Sequence, residues 1–272
     1  SLTSLAGTEK RHAALIVDAD TGKVLYEESA SEYRYPASLT KMMTIYLSFR
    51  ALEQKQLTMD KRLIVSAHAV AQKPTKVGFK VGESISVRDA LLSLVIKSAN
   101  DSAVVLAEAI GGSEADFSNL MTQTALKLGM THTTFKNASG LPNVKQKTTA
   151  YDMARLAIAL RRDYPQYYPM FSKTEFNYRG HRFLTHNRVT TTYRGADGLK
   201  TGFIGASGFN LVTSAKRNGM SIVGVVMGGR TARTRDQEMI KLLDKGFYRL
   251  AKVRTGKNIV LAKNSANIFA SN

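Results

Sequence analysis

The first strongly patterned segment of the chain, residues 13–29, contains two apolar runs separated by Asp20, Thr21 and Gly22. Residues of high β-propensity on both sides of turn-forming residues are typical of a β-hairpin. The sequence therefore predicts that a β-sheet begins near the N-terminus.

The pattern after Pro36 is different and predicts a buried helix. Apolar residues lie on more than one face of this segment: Met42, Met43, Ile45, Tyr46, Leu47, Phe49 and Leu52. A helix that is apolar on several faces is stable only when other elements cover it. We therefore expect this helix to lie near the centre of the molecule.

The middle of the chain predicts an all-helical lobe at about 60–165. Three capping-box spacings open helices there: Ser86 with Asp89, Ser113 with Asp116, and Thr149 with Asp152. The first of the expected helices ends within residues 96–101. Three more are expected at about 101–110, 113–129 and 149–162. Ser98 and Asn100 then fall on a tight connection between two helices.

From residue 175 the apolar period changes to two, which predicts successive strands. The strand-like segments are 175–187, 196–204, 208–219 and 220–229, and a helix of about 234–250 follows. The order of elements predicts an α+β fold: an antiparallel sheet built from both chain ends, flanked by helices, with the helical lobe inserted. We expect a single catalytic domain over 1–250, with a sheet lobe at about 12–35 and 175–250, and a tail over 251–272.

Composition and charge narrow the function. The 272 residues include 43% hydrophobic residues and no cysteine, which excludes disulfides, thiolate metal sites and a cysteine nucleophile. The net charge of +18 attracts polyanions. The basic residues are spread along the chain and no nucleic-acid-binding motif accompanies them, so we expect no nucleic-acid partner.

No apolar run is long enough to cross a membrane. The chain starts at Ser1 without a leader, so we expect that an export signal has been removed.

Candidate chemistry starts with Ser38 and Lys41, which are spaced i and i+3 at the start of the buried helix. At that spacing the two side chains share one face. A lysine whose pKa is lowered by burial or by nearby positive charge can take the proton of a serine hydroxyl and activate it as a nucleophile. The alternative is a helix-capping serine with a solvated lysine behind it.

Two further motifs make the catalytic interpretation more specific. Ser98-Ala-Asn100 lies on the inter-helix connection, and Lys200-Thr201-Gly202 lies on a predicted strand. The combination S-x-x-K, S-x-N and K-T-G is typical of penicillin-binding proteins and class A β-lactamases. A second S-A-N at 265–267 follows the K-T-G motif, so the order of motifs rejects it.

Further blocks strengthen the resemblance. They are "RYPASLTKMMT" at 34–44, "NASGLP" at 137–142, the region around the K-T-G motif, and "GGRTARTRDQE" at 228–238. From about residue 12 to residue 250 the chain resembles the serine-type D-alanyl-D-alanine carboxypeptidases, which are low-molecular-weight penicillin-binding proteins. The resemblance implies a β-lactamase/transpeptidase-like fold and no metal or other cofactor.

The resemblance also implies roles for the motif residues. Ser38 would attack the penultimate D-alanine carbonyl of a peptidoglycan stem peptide, and Lys41 would take its proton. Ser98 would relay that proton to the leaving nitrogen, while Asn100 would bind the substrate backbone. The backbone N–H groups of Ser38 and Phe203 would form the oxyanion hole.

The substrate carboxylate would be bound by residues of the K-T-G strand and by an arginine. Lys200 would supply positive charge, Thr201 would donate a hydrogen bond, and Gly202 would keep the strand edge open. Of the three arginines in the last block, Arg230, Arg233 and Arg235, family position favours Arg235. His186 is a weaker candidate for a place near the cleft.

Some relatives carry histidine after K-T-G, where this chain has Phe203, so a side-chain contribution is lost there. Larger relatives add a second domain and a membrane anchor, for which the tail is too short, so membrane association is left open. The resemblance implies a bacterial, periplasmic or other extracytoplasmic location and covalent inhibition by β-lactams. The alternatives are a DD-endopeptidase with the same site, or a class A β-lactamase, for which Glu175 lacks the expected sequence context.

Overall fold

The computed structural model describes residues 11–256 and 267–270. Its strands are β1 (Ala13–Asp18), β2 (Val24–Glu28), β3 (Arg62–Ile64), β4 (Ser84–Ser86), β5 (Glu175–Tyr178), β6 (His181–Leu184), β7 (Ala196–Ile204), β8 (Gly208–Arg217) and β9 (Met220–Gly229). Its α-helices are α1 (Lys41–Glu53), α2 (Ala67–Val70), α3 (Val87–Ile96), α4 (Asn100–Gly111), α5 (Glu114–Lys127), α6 (Ala150–Asp163), α7 (Arg188–Thr192) and α8 (Ala232–Arg254). Short 3-10 helices span Ala37–Thr40 and Tyr168–Ser172.

The central sheet is antiparallel and has five strands in the order β2-β1-β9-β8-β7. Both chain ends contribute to it, so the predicted α+β class and sheet are confirmed. Strand β1 is buried along its whole length because both faces of the sheet are covered. Leu15 and Val17 pack into the core shared with the helical lobe, whereas Ala14 and Ile16 pack into a second core beneath α8.

The helix starts in the middle of the chain follow the local signals in the sequence. The side chains of Ser86, Ser113 and Thr149 each accept a hydrogen bond from the backbone N–H three residues later. Helix α1 is buried on nearly every face, as its apolar pattern predicts. These elements place the end of α3 and the beginning of α4 beside the first turn of α1.

Two expectations for the second half of the chain need correction. Strands β5 and β6 do not join the central sheet; they form a separate two-stranded hairpin. Phe176 is buried and Tyr178 packs edge-on against Phe79. The apolar side of this hairpin therefore packs against the helical lobe. The last helix also begins earlier and ends later than predicted, since Thr231 caps it and it continues to Arg254.

A segment of the expected tail returns to the body of the molecule. The N–H of Ile268 donates to the Gly22 carbonyl at 3.0 Å, and the Ile268 carbonyl accepts a hydrogen bond from Arg155 Nε at 2.8 Å. The Ile268 side chain is buried. Within the described residues, no helix has both the length and the apolar character that a membrane crossing needs.

Candidate active site

Ser38 lies on the 3-10 helix that leads into α1, at the floor of a cleft of about 460 Å³. Its side chain caps neither helix, because neither start has a side-chain cap hydrogen bond. The Ser38 hydroxyl instead lies 3.1 Å from Lys41 Nζ. The capping interpretation of this motif is therefore wrong, and the two side chains form the pair that the spacing predicts.

Lys41 is fully buried and its amino group contacts two acceptors besides Ser38. It donates to Asn100 Oδ1 and to the Ser139 carbonyl oxygen, both at 2.7 Å. Both acceptors can only accept, so they use the two N–H bonds of a neutral amine. The remaining lone pair is then available to the Ser38 hydroxyl, which is the arrangement that a general base needs.

The surroundings of Lys41 favour this neutral form. Burial lowers the Lys41 pKa well below its usual value, and the positive charge of Lys200 lowers it further. The carboxylate of Asp101 acts in the opposite direction. Asp101 is buried in α4 and accepts hydrogen bonds from the backbone N–H groups of Val77 and Gly78, at 3.0 and 2.9 Å. Sequence reasoning assigned Asp101 no role, and its position after the S-x-N motif was the only available signal.

The connection between α3 and α4 brings Ser98 and Asn100 into the cleft. Ser98 has a φ of +58°, in the left-handed region that non-glycine residues rarely adopt. Its hydroxyl lies 3.0 Å from Lys200 Nζ. Asn100 Nδ2 donates to the Lys73 carbonyl at 2.9 Å while its Oδ1 accepts from Lys41. One amide N–H of Asn100 is thus left for a ligand, and the other side-chain polar groups of Asn100 bind Lys41 and the Lys73 carbonyl.

Strand β7 forms the opposite wall of the cleft. Lys200 is buried, and burial together with the charge of Arg235 lowers its pKa to about 7. Thr201, Gly202 and Phe203 line the cleft beside Ser38. A β-carbon at Gly202 would stand 2.8 Å from the Ser38 backbone nitrogen, so the absence of a side chain allows the strand to approach the serine.

A second glycine, Gly140, also lies close to the backbone at Ser38. Gly140 has a φ of +91°, and a β-carbon on it would collide with the Ala37 carbonyl oxygen at 1.8 Å. Its neighbour Ser139 provides the carbonyl that accepts from Lys41. The block 137–142 contributed to the family resemblance, but its backbone role could not be derived from side-chain chemistry.

The three candidate arginines are in different environments. Arg230 and Arg233 are exposed, whereas Arg235 is buried and lines the cleft together with Thr201. The Arg235 guanidinium forms an ion pair with Asp236 at 2.9 Å and donates to the Asn210 carbonyl at 3.3 Å. Burial in the cleft favours Arg235, the arginine chosen by family position.

Asn210 links several parts of this wall. Its side-chain amide donates to the Tyr35 and Pro36 carbonyls at 3.1 and 3.2 Å, and its Oδ1 accepts from the Gly228 N–H at 3.0 Å. The residue is fully buried, so it ties β8 and β9 to the segment before Ser38. Its identity gave no functional signal in the sequence.

Two weaker candidates, His186 and Glu175, differ in whether they line the cleft. His186 is exposed but lines the same cleft as Ser38. Glu175 is exposed on the β5–β6 hairpin and forms an ion pair with Arg182. The carboxylate of Glu175 therefore binds Arg182 on the surface, and it does not line the cleft.

Residues 4–231 match the D-alanyl-D-alanine carboxypeptidase family. The chain belongs to this family. It is 38% identical over 242 residues to the D-alanyl-D-alanine carboxypeptidase DacC of Escherichia coli, and 34% identical over 244 residues to DacF of Bacillus subtilis. These matches cover 86% of this chain but only 60% and 61% of those relatives, so the chain spans less than two thirds of their length.

Solved structures of the family share the fold. Penicillin binding protein 5 from Haemophilus influenzae superposes with a TM-score of 0.84 at 31% identity, covering 87% of this chain and 70% of that one. Penicillin-binding protein D2 from Listeria monocytogenes, in its ampicillin-bound form, gives a TM-score of 0.77 at 31% identity, covering 88% and 97% of the two chains. These likenesses confirm the predicted penicillin-binding-protein fold.

Proposed function

We propose that this chain is a serine DD-carboxypeptidase that removes the terminal D-alanine from peptidoglycan stem pentapeptides. Membership of the D-alanyl-D-alanine carboxypeptidase family supports the reaction class. The observation that carries the proposal is the contact of Lys41 Nζ with Ser38 Oγ, with both N–H bonds of the neutral amine already donated to Asn100 and Ser139.

Acylation begins when Ser38 Oγ attacks the carbonyl carbon of the penultimate D-alanine and its proton passes to Lys41. The negative charge that develops on the carbonyl oxygen is stabilised by the backbone N–H groups of Ser38 and Phe203. A donor of this kind lowers the barrier by about 3 kcal/mol. The approach of β7 to Ser38, which Gly202 permits, supports this placement of the two donors.

The carbon–nitrogen bond then breaks, and the leaving nitrogen needs a proton. Ser98 provides the relay, and its hydrogen bond to Lys200 at 3.0 Å connects it to a second titrating amine. Free D-alanine leaves with that proton. Water subsequently attacks the acyl ester, releases the shortened peptide and returns the hydroxyl of Ser38.

The substrate is oriented by its terminal carboxylate and its backbone. Thr201 donates to the carboxylate, and Arg235 with Lys200 supplies positive charge beside it. The remaining N–H of Asn100 donates to a substrate carbonyl. Burial of Lys200 and Arg235 strengthens their attraction for an anion, because little water screens them.

The proposed substrate implies where in the cell the protein acts, and the proposed mechanism implies which inhibitors it binds. Peptidoglycan stem peptides lie outside the cytoplasmic membrane, so we propose an extracytoplasmic, bacterial cell-envelope location. The net charge of +18 suits a surface that meets anionic wall polymers. Covalent inhibition by β-lactams follows from the same nucleophile and oxyanion donors, and the D2 protein is a relative whose structure holds ampicillin.

Release of D-alanine from a diacetylated tripeptide, diacetyl-L-Lys-D-Ala-D-Ala, tests the proposal directly. Benzylpenicillin should form one adduct, which peptide mapping by mass spectrometry should place on Ser38. An adduct on another residue, or none, would exclude Ser38 as the nucleophile. A class A β-lactamase is not favoured, because that enzyme uses a glutamate to activate the deacylating water and Glu175 forms an ion pair on the surface. We therefore expect slow release of the penicilloyl adduct and weak turnover of cephalosporins.

A further inference from the structure

An aromatic pair outside the three motifs lines the cleft. Phe203 on β7 and Phe209 on β8 are direct cross-strand partners, and their rings stack with centroids 4.3 Å apart. Phe203 is nevertheless 53% exposed, in a protein that buries most of its large apolar side chains. Both rings face the cavity that contains Ser38. We name Phe203 and Phe209 together the aromatic shelf.

The shelf lies on the carboxylate side of the cleft. The side chains of Phe203 and Thr201 share one face of β7, because side chains alternate along a strand. The guanidinium carbon of Arg235 lies 5.9 Å from the centroid of the Phe209 ring. The shelf therefore adjoins both groups to which the substrate's terminal carboxylate is assigned.

We propose that the aromatic shelf binds the side chain of the leaving D-residue and makes the site prefer apolar residues at that position. The inference rests on the proposed function. The leaving residue spans the distance from the scissile nitrogen, near Ser38, to the carboxylate held by Thr201 and Arg235. Its side chain must project from the α-carbon between these two points, where the shelf supplies the apolar surface.

The shelf is larger than the natural leaving group requires. The methyl group of D-alanine covers only a small part of two stacked phenyl rings, and the cleft volume of about 460 Å³ leaves room beside it. A longer apolar side chain would remove more of Phe203 from water and gain binding in proportion to that area. A polar side chain of the same shape would lose its hydration against the rings without gaining a hydrogen bond.

The experiment compares two peptides of nearly identical shape, diacetyl-L-Lys-D-Ala-D-Leu and diacetyl-L-Lys-D-Ala-D-Asn. The wild-type protein should release D-leucine with a kcat/KM at least ~10-fold above that for D-asparagine, the size expected when an apolar contact is gained in a pocket. Phe203→Ala should reduce this ratio to near one, whereas Phe203→Tyr, which keeps the ring, should retain most of it. Tyr248→Ala is the matched control, since Tyr248 is an aromatic residue on α8 with 60% exposure that does not line the cleft.

The outcomes separate the shelf from the proposed function. A wild-type ratio near one, or a ratio that Phe203→Ala leaves unchanged, would overturn the shelf's role even if D-alanine is released from D-Ala-D-Ala. A protein that neither releases D-alanine nor forms a penicillin adduct on Ser38 would overturn the proposed function and the shelf together. The wild-type ratio alone can contradict the shelf's role, so the test does not depend on the folding of a variant.

Discussion

Gly202 lies against the backbone of Ser38, with so little space that a β-carbon would stand 2.8 Å from the Ser38 nitrogen and 3.1 Å from the Leu39 nitrogen. Gly140 is packed against the same segment, since a β-carbon on it would stand 1.8 Å from the Ala37 carbonyl oxygen. Two glycines thus allow the close packing around the segment that carries the proposed nucleophile, and a new side chain on β7 would disturb that packing. The third position of the K-T-G motif is thus a steric requirement of the site.

Gly202→Ala should reduce the second-order rate of acylation by benzylpenicillin by roughly 100-fold or more, because the methyl group displaces one or both oxyanion donors. Gly205→Ala is the matched control: a β-carbon there meets no atom within 4 Å, and we expect a wild-type rate. Equal rates for Gly202→Ala and wild type would contradict the close approach of β7 to Ser38.

Lys41 and Lys200 have identical side chains and different assigned roles, which an arginine substitution at each position can separate. Arginine keeps the charge but does not act as a base at any working pH. Lys41→Arg should nearly abolish penicillin acylation, whereas Lys200→Arg should keep a measurable fraction of the rate. Rapid-quench or stopped-flow acylation rates decide this, and a fast Lys41→Arg protein would remove Lys41 as the base.

Replacement of Lys200 by glutamine tests the electrostatic coupling between the two amines. The charge of Lys200 disfavours protonated Lys41, so its removal should raise the Lys41 pKa. Lys41 must be neutral to act, and the acidic limb of the acylation profile should therefore move to higher pH. Because the Lys200 pKa is itself about 7, the rate deficit of the variant should be largest below about pH 7 and smaller towards pH 9.

The measurement is the acylation rate from pH 6 to 10 for wild type, Lys200→Gln and the exposed-lysine control Lys61→Gln. Lys61→Gln should follow the wild-type profile. An acidic limb of Lys200→Gln that keeps the wild-type midpoint, even at a lower rate, would contradict the coupling between the two amines.

Much of the fold could be predicted from the sequence because its signals are local. Ser86 and Thr149 cap their helices through backbone groups only three residues away, and the turn at Gly22 joins strands that are adjacent in sequence. The motif residues could be placed in one site only through the resemblance to the family, since their contacts join residues far apart in sequence, such as Ser98 and Lys200. The helix caps and the hairpin, by contrast, do not depend on partners that are distant in sequence.

The missed features depend on tertiary packing. The alternating pattern of residues 175–187 is compatible with a strand in any sheet. Only the contacts with Phe79 and the helical lobe explain why this segment forms a separate hairpin and does not join the central sheet. Asp101 and Asn210 carry out their roles through backbone groups brought from elsewhere in the chain. No periodicity or motif in a single sequence contains that information.

The final prediction concerns the tail segment that packs on the β1–β2 turn. In the second S-A-N triplet, Ser265 and Ala266 lie outside the described residues, while Asn267 Nδ2 donates to the Thr21 carbonyl at 3.0 Å. Ile268 is only 3% exposed; its backbone N–H donates to the Gly22 carbonyl, and its carbonyl accepts a hydrogen bond from the Arg155 side chain. The tail therefore contributes to stability at a site remote from Ser38.

Ile268→Ala should lower the free energy of unfolding by about 2–4 kcal/mol, because it removes a buried side chain and leaves a cavity. Ile64→Ala, at an isoleucine that is 69% exposed, should change it by less than about 0.5 kcal/mol. Urea unfolding followed by circular dichroism measures both. The penicillin acylation rate below the unfolding transition should stay at the wild-type value in each variant, because neither residue lines the cleft. A stable Ile268→Ala protein would contradict the packing of this segment, and a folded but slowly acylated one would reveal coupling between the tail and the active site.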